Sequence, residues 1–303
     1  MEATKKARLR DFLFDVIRGM AIGIAFIIPG FSGGSIAAIL GIYEKLVGAI
    51  ADIFKDFKRT ILTLLPIGIG MVAGAVMLLF PLSMALEAFP IPTVCLFVGL
   101  AIGGLPSITE KLKGKPSFKD IAALAVPLLF AAALCFLPIG SDADLLKIGF
   151  GGYILLVIIG FVGSSALVVP GISGSMLLLI LGYYNPLVSL ITDHLLRGED
   201  VARSALALGC TALGIAVGFF VISIIMKWLL NCHTRKTYFA ILGFIIGSIP
   251  TVFASTAKES GITFNDLPSS VLYWICCAAL LALGILISLA LVLYSKKKIM
   301  TEK

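Results

Sequence analysis

Residues Pro29 to Gly34, PGFSGG, interrupt an apolar run from Phe12 to Ile53, and a near copy, PGISGS at Pro170 to Ser175, interrupts a second run from Ile148 to Thr192. Proline removes a backbone donor and clashes with the preceding turn, and clustered glycines disfavour helix further, so no regular helix passes through either stretch. The rest of the chain fixes the solvent in which this happens. With 59% hydrophobic and 14% charged residues and a mean hydropathy of +1.09, the sequence lies far from soluble domains, where about 25% of residues are charged. It is that of an integral membrane protein. In lipid the backbone groups freed at a break find no water, so the break persists only where protein buries it or where it lines a polar cavity.

The other apolar segments, Ile61 to Leu86, Ile91 to Ile108, Ile121 to Ile139, Ser204 to Met226, Tyr238 to Ala254 and Val271 to Tyr294, each suit one crossing of a hydrocarbon core about 30 Å thick. The two broken runs are too long for one crossing. The arms Phe12 to Ile28 and Ile36 to Ile50 each reach only about 22 to 26 Å as helix, a little short of spanning, which favours re-entrant hairpins over paired complete spans. The sequence therefore predicts an all-α polytopic membrane protein, an inverted repeat in which each half is a re-entrant helical hairpin plus three transmembrane helices. Residues 1–145 form the first half, with hairpin 12–53. Residues 146–303 form the second, with hairpin 148–192, and the two make one integral membrane domain.

Duplication is visible beyond hydropathy. Pro29 to Val47 aligned with Pro170 to Val188 keeps ten of nineteen positions identical, and GLAIGGLP (Gly99 to Pro106) returns as GFIIGSIP (Gly243 to Pro250) at an offset of 144. Three crossings per half make the second half inverted relative to the first. With cytoplasmic N- and C-termini, 20 of the 24 Lys and Arg residues fall on the cytoplasmic side, the split that the positive-inside rule demands. Membrane orientation accounts for the net charge of +7 better than nucleic-acid binding does, so no nucleic-acid partner is expected. The N-terminus resembles a signal peptide, but Asp15 and Arg18 interrupt its apolar run, and a retained cytoplasmic start is expected. The six cysteines show no CxxC spacing, and His194 and His233 lie in loops, so neither a metal site nor a cofactor is expected.

A Pro-Gly-x-Ser-Gly turn that opens a helix presents unpaired backbone N–H groups at the positive end of the helix dipole. Gly30, Gly33, Gly34, Gly171 and Gly174 let an anion approach the backbone, and the hydroxyls of Ser32, Ser35, Ser173 and Ser175 add donors. Together they predict a cradle for a phosphate or carboxylate with no charged side chain. The competing role for the glycines is close helix packing. Arg18 is a candidate partner for an anionic head group at the cytoplasmic mouth, or a residue that snorkels to the interface. Glu44 is a proton relay or an ion-pair partner of Lys45 or Arg18, and Tyr43 and Tyr184, at equivalent positions of the two hairpins, suit head-group or interface contact.

RGMAIGIAFIIPGFSGGSIAAILGIYEKLV together with VVPGISGSMLLLILGYY resembles the bacterial undecaprenyl-phosphate translocases of the PopT type, long catalogued as a domain of unknown function. The resemblance covers essentially the whole chain. It implies a bacterial cytoplasmic-membrane transporter that returns the lipid carrier undecaprenyl phosphate from the outer to the cytoplasmic leaflet for cell-wall synthesis. An acidic residue often stands three positions before the first proline in that family, where this chain has Phe26, which puts a proton-coupling role for that position in doubt. Two other readings remain open. A backbone cradle does not by itself distinguish a lipid phosphate from a small anion, so a small-anion transporter or channel is the nearer alternative. An undecaprenyl-diphosphate phosphatase is the more distant one, because its chemistry needs an Arg within the Ser motif and Ser32 is followed by Gly33 and Gly34.

Overall fold

In the computed structural model the described residues are 2–27, 32–137, 140, 143–195, 197–198, 200–261, 268 and 270–301, and among them there is no β-strand. The helices of the first half are α1 (Glu2–Ile27), α2 (Gly33–Ile39), α3 (Tyr43–Ala51), α4 (Phe57–Ala88), α5 (Pro90–Thr109) and α6 (Phe118–Ala133). Those of the second half are α7 (Phe150–Val168), α8 (Gly174–Ile180), α9 (Tyr184–Ser189), α10 (Val201–Cys232), α11 (Thr234–Glu259) and α12 (Val271–Thr301). A 3₁₀ turn, Leu134–Phe136, extends α6, and a π turn, Leu190–Leu195, extends α9.

Among the described residues six helices, α4, α5, α7, α10, α11 and α12, are long and apolar enough to cross a membrane, and up to eight spans result if each bent pair counts as one. The protein is a multi-pass α-helical membrane protein. Where the expected layout counted Ile121 to Ile139 as a span, α6 has only 16 residues before its 3₁₀ turn. Conversely α7, expected as the entering arm of a hairpin, is long enough to cross by itself.

Each long apolar run contains a sharply bent helix pair, but it is not the hairpin expected around PGFSGG or PGISGS, because the sharp bend lies further along the chain. Helices α2 and α3 meet at 119°, and α8 meets the segment Tyr184–Thr192 at 108°. The bends fall at Leu40 to Ile42 and Leu181 to Tyr183, where Gly41 (φ +69°) and Gly182 (φ +76°) take the left-handed conformation that side chains resist. Each long apolar run therefore carries two interruptions, and only the Pro-Gly one was expected.

Packing repeats across the halves. The most extensive contacts of the first half pair α1 with α4, and their counterparts pair α7 with α10; α5 packs on α12 just as α11 packs on α6. The last two helices of each half thus lean on the other half. Helices α5 and α11 run through the centre, with 67% and 61% of their most apolar stretches buried, against 22% for α4, α10 and α12, whose apolar faces are left for lipid. Single residues, Phe89 and His233, join α4 to α5 and α10 to α11. At each junction a threonine closes the turn: Thr93 donates to the Ala85 and Phe89 carbonyls, Thr237 to those of Leu229 and His233.

Glycines set the close approaches. A Cβ added at Gly70 would lie 2.0 Å from the Val16 carbonyl oxygen of α1, and one at its counterpart Gly214 would lie 2.0 Å from that of Val157 of α7. The repeated motif GLAIGGLP/GFIIGSIP serves the same purpose: Gly99 and Gly103 abut α12, and Gly243 and Gly247 abut α6. Gly70→Ala is therefore expected to destabilise the protein by about 1–3 kcal/mol through overpacking. Gly68→Ala, two residues away with nothing within 4 Å, is expected to stabilise it by about 0.5–1 kcal/mol through helix propensity. Thermal unfolding in detergent separates the two signs.

Candidate functional site

Helix α7 stops at Val168 because Pro170, four residues after Ala166, has no N–H to offer that carbonyl. Gly171 follows in the left-handed conformation (φ +87°), tucked under α11: a Cβ there would sit 2.4 Å from the Phe244 carbonyl carbon. Ser173 then caps α8, its hydroxyl accepting the Met176 N–H at 3.4 Å and lying 3.1 Å from the Ser175 hydroxyl. In the first half Pro29 and Gly30 lie outside the described residues. Ser32 occupies the N-cap of α2, and Ser32, Gly33, Gly34 and Ser35 are all buried.

The two breaks meet. The Ser32 hydroxyl donates to the Ala166 carbonyl at 3.5 Å, so repeat one supplies a donor where Pro170 supplies none. The Tyr43 hydroxyl donates to the Val168 carbonyl at 2.8 Å, and Gly34 faces Val168 and Pro170, with space for a Cβ only 3.3 Å from the Val168 oxygen. Burial and cross-repeat hydroxyls thus satisfy the carbonyls at the end of α7, as a break inside a membrane protein requires.

This placement corrects the expectation for Tyr43. It is 4% exposed and spent on a backbone carbonyl of the other repeat, so it does not reach head groups, whereas its counterpart Tyr184 is 38% exposed. The asymmetry has a measurable consequence. Tyr43→Phe leaves the buried Val168 carbonyl without its donor and is expected to lower stability by about 1–3 kcal/mol. Tyr184→Phe is expected to stay within about 0.5 kcal/mol of the parent protein in the same unfolding experiment.

The charged candidates gather around α3, away from the breaks. Arg18 stands nine residues before the end of α1, about 13 Å along its axis. It pairs with Asp15 at 3.3 Å and lies 5.8 Å from the centre of the Phe14 ring. Lys45 reaches the same carboxylate, so Asp15, only 7% exposed, ties α1 to α3. Glu44 does not pair with Lys45 or Arg18. Adjacent helical residues point about 100° apart, and Glu44 turns instead toward α11, where it accepts from the Tyr238 hydroxyl, and pairs at 3.4 Å with Lys111 of the α5–α6 loop. At the far end of α3, Asp52 pairs with Lys227 of α10. The Lys227 hydrogen bond holds the Asp52 carboxyl below its ordinary range, with help from Lys55 and Arg59. Glu44, Lys45, Asp52 and Arg59 line an open polar cavity of about 510 Å³.

Two participants went unassigned in the sequence. Asp15 was legible as an acidic residue inside an apolar run, a signal that usually marks a paired group. Tyr238 carried no such signal. The α5–α6 loop is latched separately: Arg235 donates to the Lys113 and Lys115 carbonyls at 2.8 and 2.7 Å and pairs with Asp120 at 3.2 Å. Asp120 closes a capping box with Ser117, whose backbone N–H holds the carboxyl below its ordinary range.

Of the predicted phosphate residues, Ser32, Gly33, Gly34 and Ser35 thus come together with the chain that leads into Gly171 and Ser173. Gly174 and Ser175 are half-buried in the first turn of α8. Helices α2 and α8 have seven residues each, so their dipoles are short. The Ser35 N–H already bonds the Ser32 carbonyl at 3.0 Å and the Met176 N–H bonds the Ser173 hydroxyl, which leaves the N–H groups of Gly33, Gly34, Gly174 and Ser175, with the serine hydroxyls, as the neutral donors suited to an anion. Beside the first break a cavity of about 90 Å³ is lined by Gly33, Gly34 and Tyr43, with Phe26, Leu167 and Val168 as apolar walls.

Comparison with known proteins decides the family. Residues 22–266 match the family described as VCA0040-like, undecaprenyl phosphate translocase-like. The chain belongs to this family. It is 30% identical to a protein of Staphylococcus aureus (strain NCTC 8325 / PS 47) named polyprenyl-phosphate transporter, over 91% of this chain and 95% of the relative. A protein of the same name from Vibrio cholerae serotype O1 is 24% identical, over 95% of this chain and 98% of the relative. Both names are those of transporters, not of enzymes. No solved structure matches the chain.

Proposed function

We propose that the protein carries undecaprenyl phosphate from the outer to the cytoplasmic leaflet of the bacterial cytoplasmic membrane, returning the carrier for cell-wall synthesis. The reading rests on one observation above all. Ser32 and Gly34 of the first break lie against the end of α7 and Pro170 of the second, with the buried Ser32 hydroxyl bonded to the Ala166 carbonyl. The names of the two relatives supply the substrate class. The second half is read as inverted relative to the first, with both chain termini cytoplasmic, because that layout puts 20 of the 24 Lys and Arg residues on the inside.

Physics makes the phosphate the difficult part. The prenyl chain stays in lipid throughout, whereas an unshielded ionised group in hydrocarbon faces a penalty on the order of tens of kcal/mol. In this reading the donors of Ser32, Gly33, Gly34 and Ser35 from one side and of Gly171, Ser173, Gly174 and Ser175 from the other replace its water. Inward movement of an anion also works against the membrane potential, about 2.3 kcal/mol per charge per 100 mV. A phosphate monoester carries about −1.5 to −2 near neutrality, so protons accompany it. Glu44 holds the Tyr238 hydroxyl and faces the polar cavity beside α3, and it is the relay in this scheme. Arg18, engaged by Asp15, has a positioning role.

Vesicles containing the purified protein and undecaprenyl phosphate in one leaflet test the reading. The lipid is expected to become accessible to an impermeant reagent on the opposite side, and faster when an imposed pH gradient drives protons in the direction of transport. Accessibility no greater than in protein-free vesicles contradicts transport, and a rate indifferent to the gradient under voltage clamp contradicts proton coupling.

A further inference from the structure

Two lateral grooves on the surface are counterparts of one another under the duplication. One, of about 590 Å³, lies between α6, α10 and α11; the other, of about 800 Å³, lies between α12, α4 and α5. Met226, Leu229, His233, Lys236, Thr237 and Ile241 in the first stand 144 residues after Leu82, Ala85, Phe89, Pro92, Thr93 and Phe97 in the second. Both have almost wholly apolar walls. They differ where the two long helices turn into one another: His233 and Lys236 rim the first groove at the site of Phe89 and Pro92 in the second. From that cationic rim the first groove runs to Val169 and Ile172, the residues flanking Pro170 and Gly171.

A cationic end on an apolar trough describes its occupant. The occupant is an amphiphile with an anionic head and a long hydrocarbon chain that needs no polar partner along its length. Lys236 supplies a charge that also acts on Asp120, but that carboxylate is already held by Ser117 and Arg235. His233 adds a ring nitrogen donor beside Trp228, whose ring centre is 5.5 Å away and whose side chain is 55% exposed, the placement of an interfacial aromatic. The groove leaves the rim toward the second break, so a chain lying in it aligns the head with the path to the buried serines.

We propose that the groove between α6, α10 and α11 seats the prenyl chain of a polyprenyl monophosphate while Lys236 and His233 hold its phosphate. This docked state precedes or follows passage of the head group through the paired breaks, and it rests on the transport reading above. The groove between α12, α4 and α5 accepts the chain, and among the described residues that line it there is no cation to retain the head. The protein thus holds its substrate more tightly at one portal than at the other.

The test uses the full chain in phosphatidylcholine vesicles and a polyprenyl monophosphate carrying a photoactivatable diazirine, with labelled peptides mapped and translocation measured in the same vesicles. Labelling is expected on the faces of α6, α10 and α11 that line the groove. Excess undecaprenyl phosphate suppresses it, and an equal excess of phosphatidylglycerol does not. Lys236→Glu and Ala240→Trp are each expected to reduce it about tenfold or more, the first chiefly at low salt. Val76→Trp, on the lipid-facing side of α4, leaves it unchanged. Labelling that falls elsewhere, that survives both groove variants, or that phosphatidylglycerol suppresses equally overturns the proposal. If translocation proceeds in that case, the transport reading stands and only the groove assignment fails. If the parent protein neither translocates nor labels, both fail.

Discussion

Gly171→Ala yields a protein that loses about 2–5 kcal/mol of stability and, with it, transport. Two independent effects combine at this position. At φ +87° any side chain takes up left-handed strain, about 1–2 kcal/mol. The new Cβ also lies 2.4 Å from the Phe244 carbonyl carbon, 2.5 Å from its oxygen and 2.8 Å from the Ile245 nitrogen. Those are backbone atoms of α11 and cannot rotate away, so α11 must shift, at about 1–3 kcal/mol for overpacking. Gly41→Ala isolates the first effect, since Gly41 has φ +69° and nothing within 4 Å of an added Cβ. Unfolding midpoints in detergent should therefore order as parent, Gly41→Ala, Gly171→Ala. Equal midpoints for the two variants would show that the seat under α11 is not tight.

The sequence was most informative where chemistry alone forbids regular structure. A proline followed directly by glycine, as at Pro29 and Pro170, disfavours a continuing helix more than the lone Pro66 and Pro81 that α4 accommodates, and the lipid environment implied by composition calls for such a break to be buried. The end of α7 before Pro170 was legible for that reason. The second interruption, at Gly41 and Gly182, was not. A lone glycine in an apolar run is compatible with a packed helix, as Gly70 and Gly99 are, and only the backbone conformation separates the two uses. The recurrence of Leu-Gly in both repeats was the available signal, and it was read as duplication alone.

Contacts at long separation were the other blind spot. That Ser32 would find Ala166, or Tyr43 would find Val168, depends on how the repeats dock and leaves no local pattern. The pairing of Glu44 with Tyr238 escaped notice for the same reason, because the helix on which Glu44 sits had first to be bent by 119° at Gly41. Arg18, expected at the cytoplasmic mouth, has its place set by Asp15 one turn before it. The glycines of GLAIGGLP and GFIIGSIP belong to helix packing, Gly99 and Gly103 of α5 on α12, Gly104 on Ile39 of α2, and Gly243 and Gly247 of α11 on α6, so of the two recurring motifs only the Pro-Gly one remains a candidate for binding.

The second large effect concerns the serines. Ser32 and Ser173 are buried, 3% and 5% exposed, and stand at the N-caps of α2 and α8. Their structural duties are modest. Ser32 makes one long hydrogen bond to Ala166, Ser173 a long cap to Met176, and a lost cap or neutral hydrogen bond costs about 1 kcal/mol. In the proposed reading their contribution to holding a phosphate is larger, since a hydrogen bond to a charged group contributes about 1.5–3 kcal/mol and each 1.4 kcal/mol is tenfold in rate. A double variant, Ser32→Ala with Ser173→Ala, therefore separates the two contributions. It should fold, with a stability loss of about 2 kcal/mol, and fail in transport by a much larger factor.

Leaflet exchange of undecaprenyl phosphate in vesicles, measured for this double variant beside the parent protein at matched folded amounts, puts the paired breaks to the most direct test. The paired-break account predicts exchange slowed about a hundredfold or more in the variant while the parent equilibrates the leaflets. Exchange at the parent rate in a folded variant would contradict it, and would place the phosphate's path elsewhere in the protein.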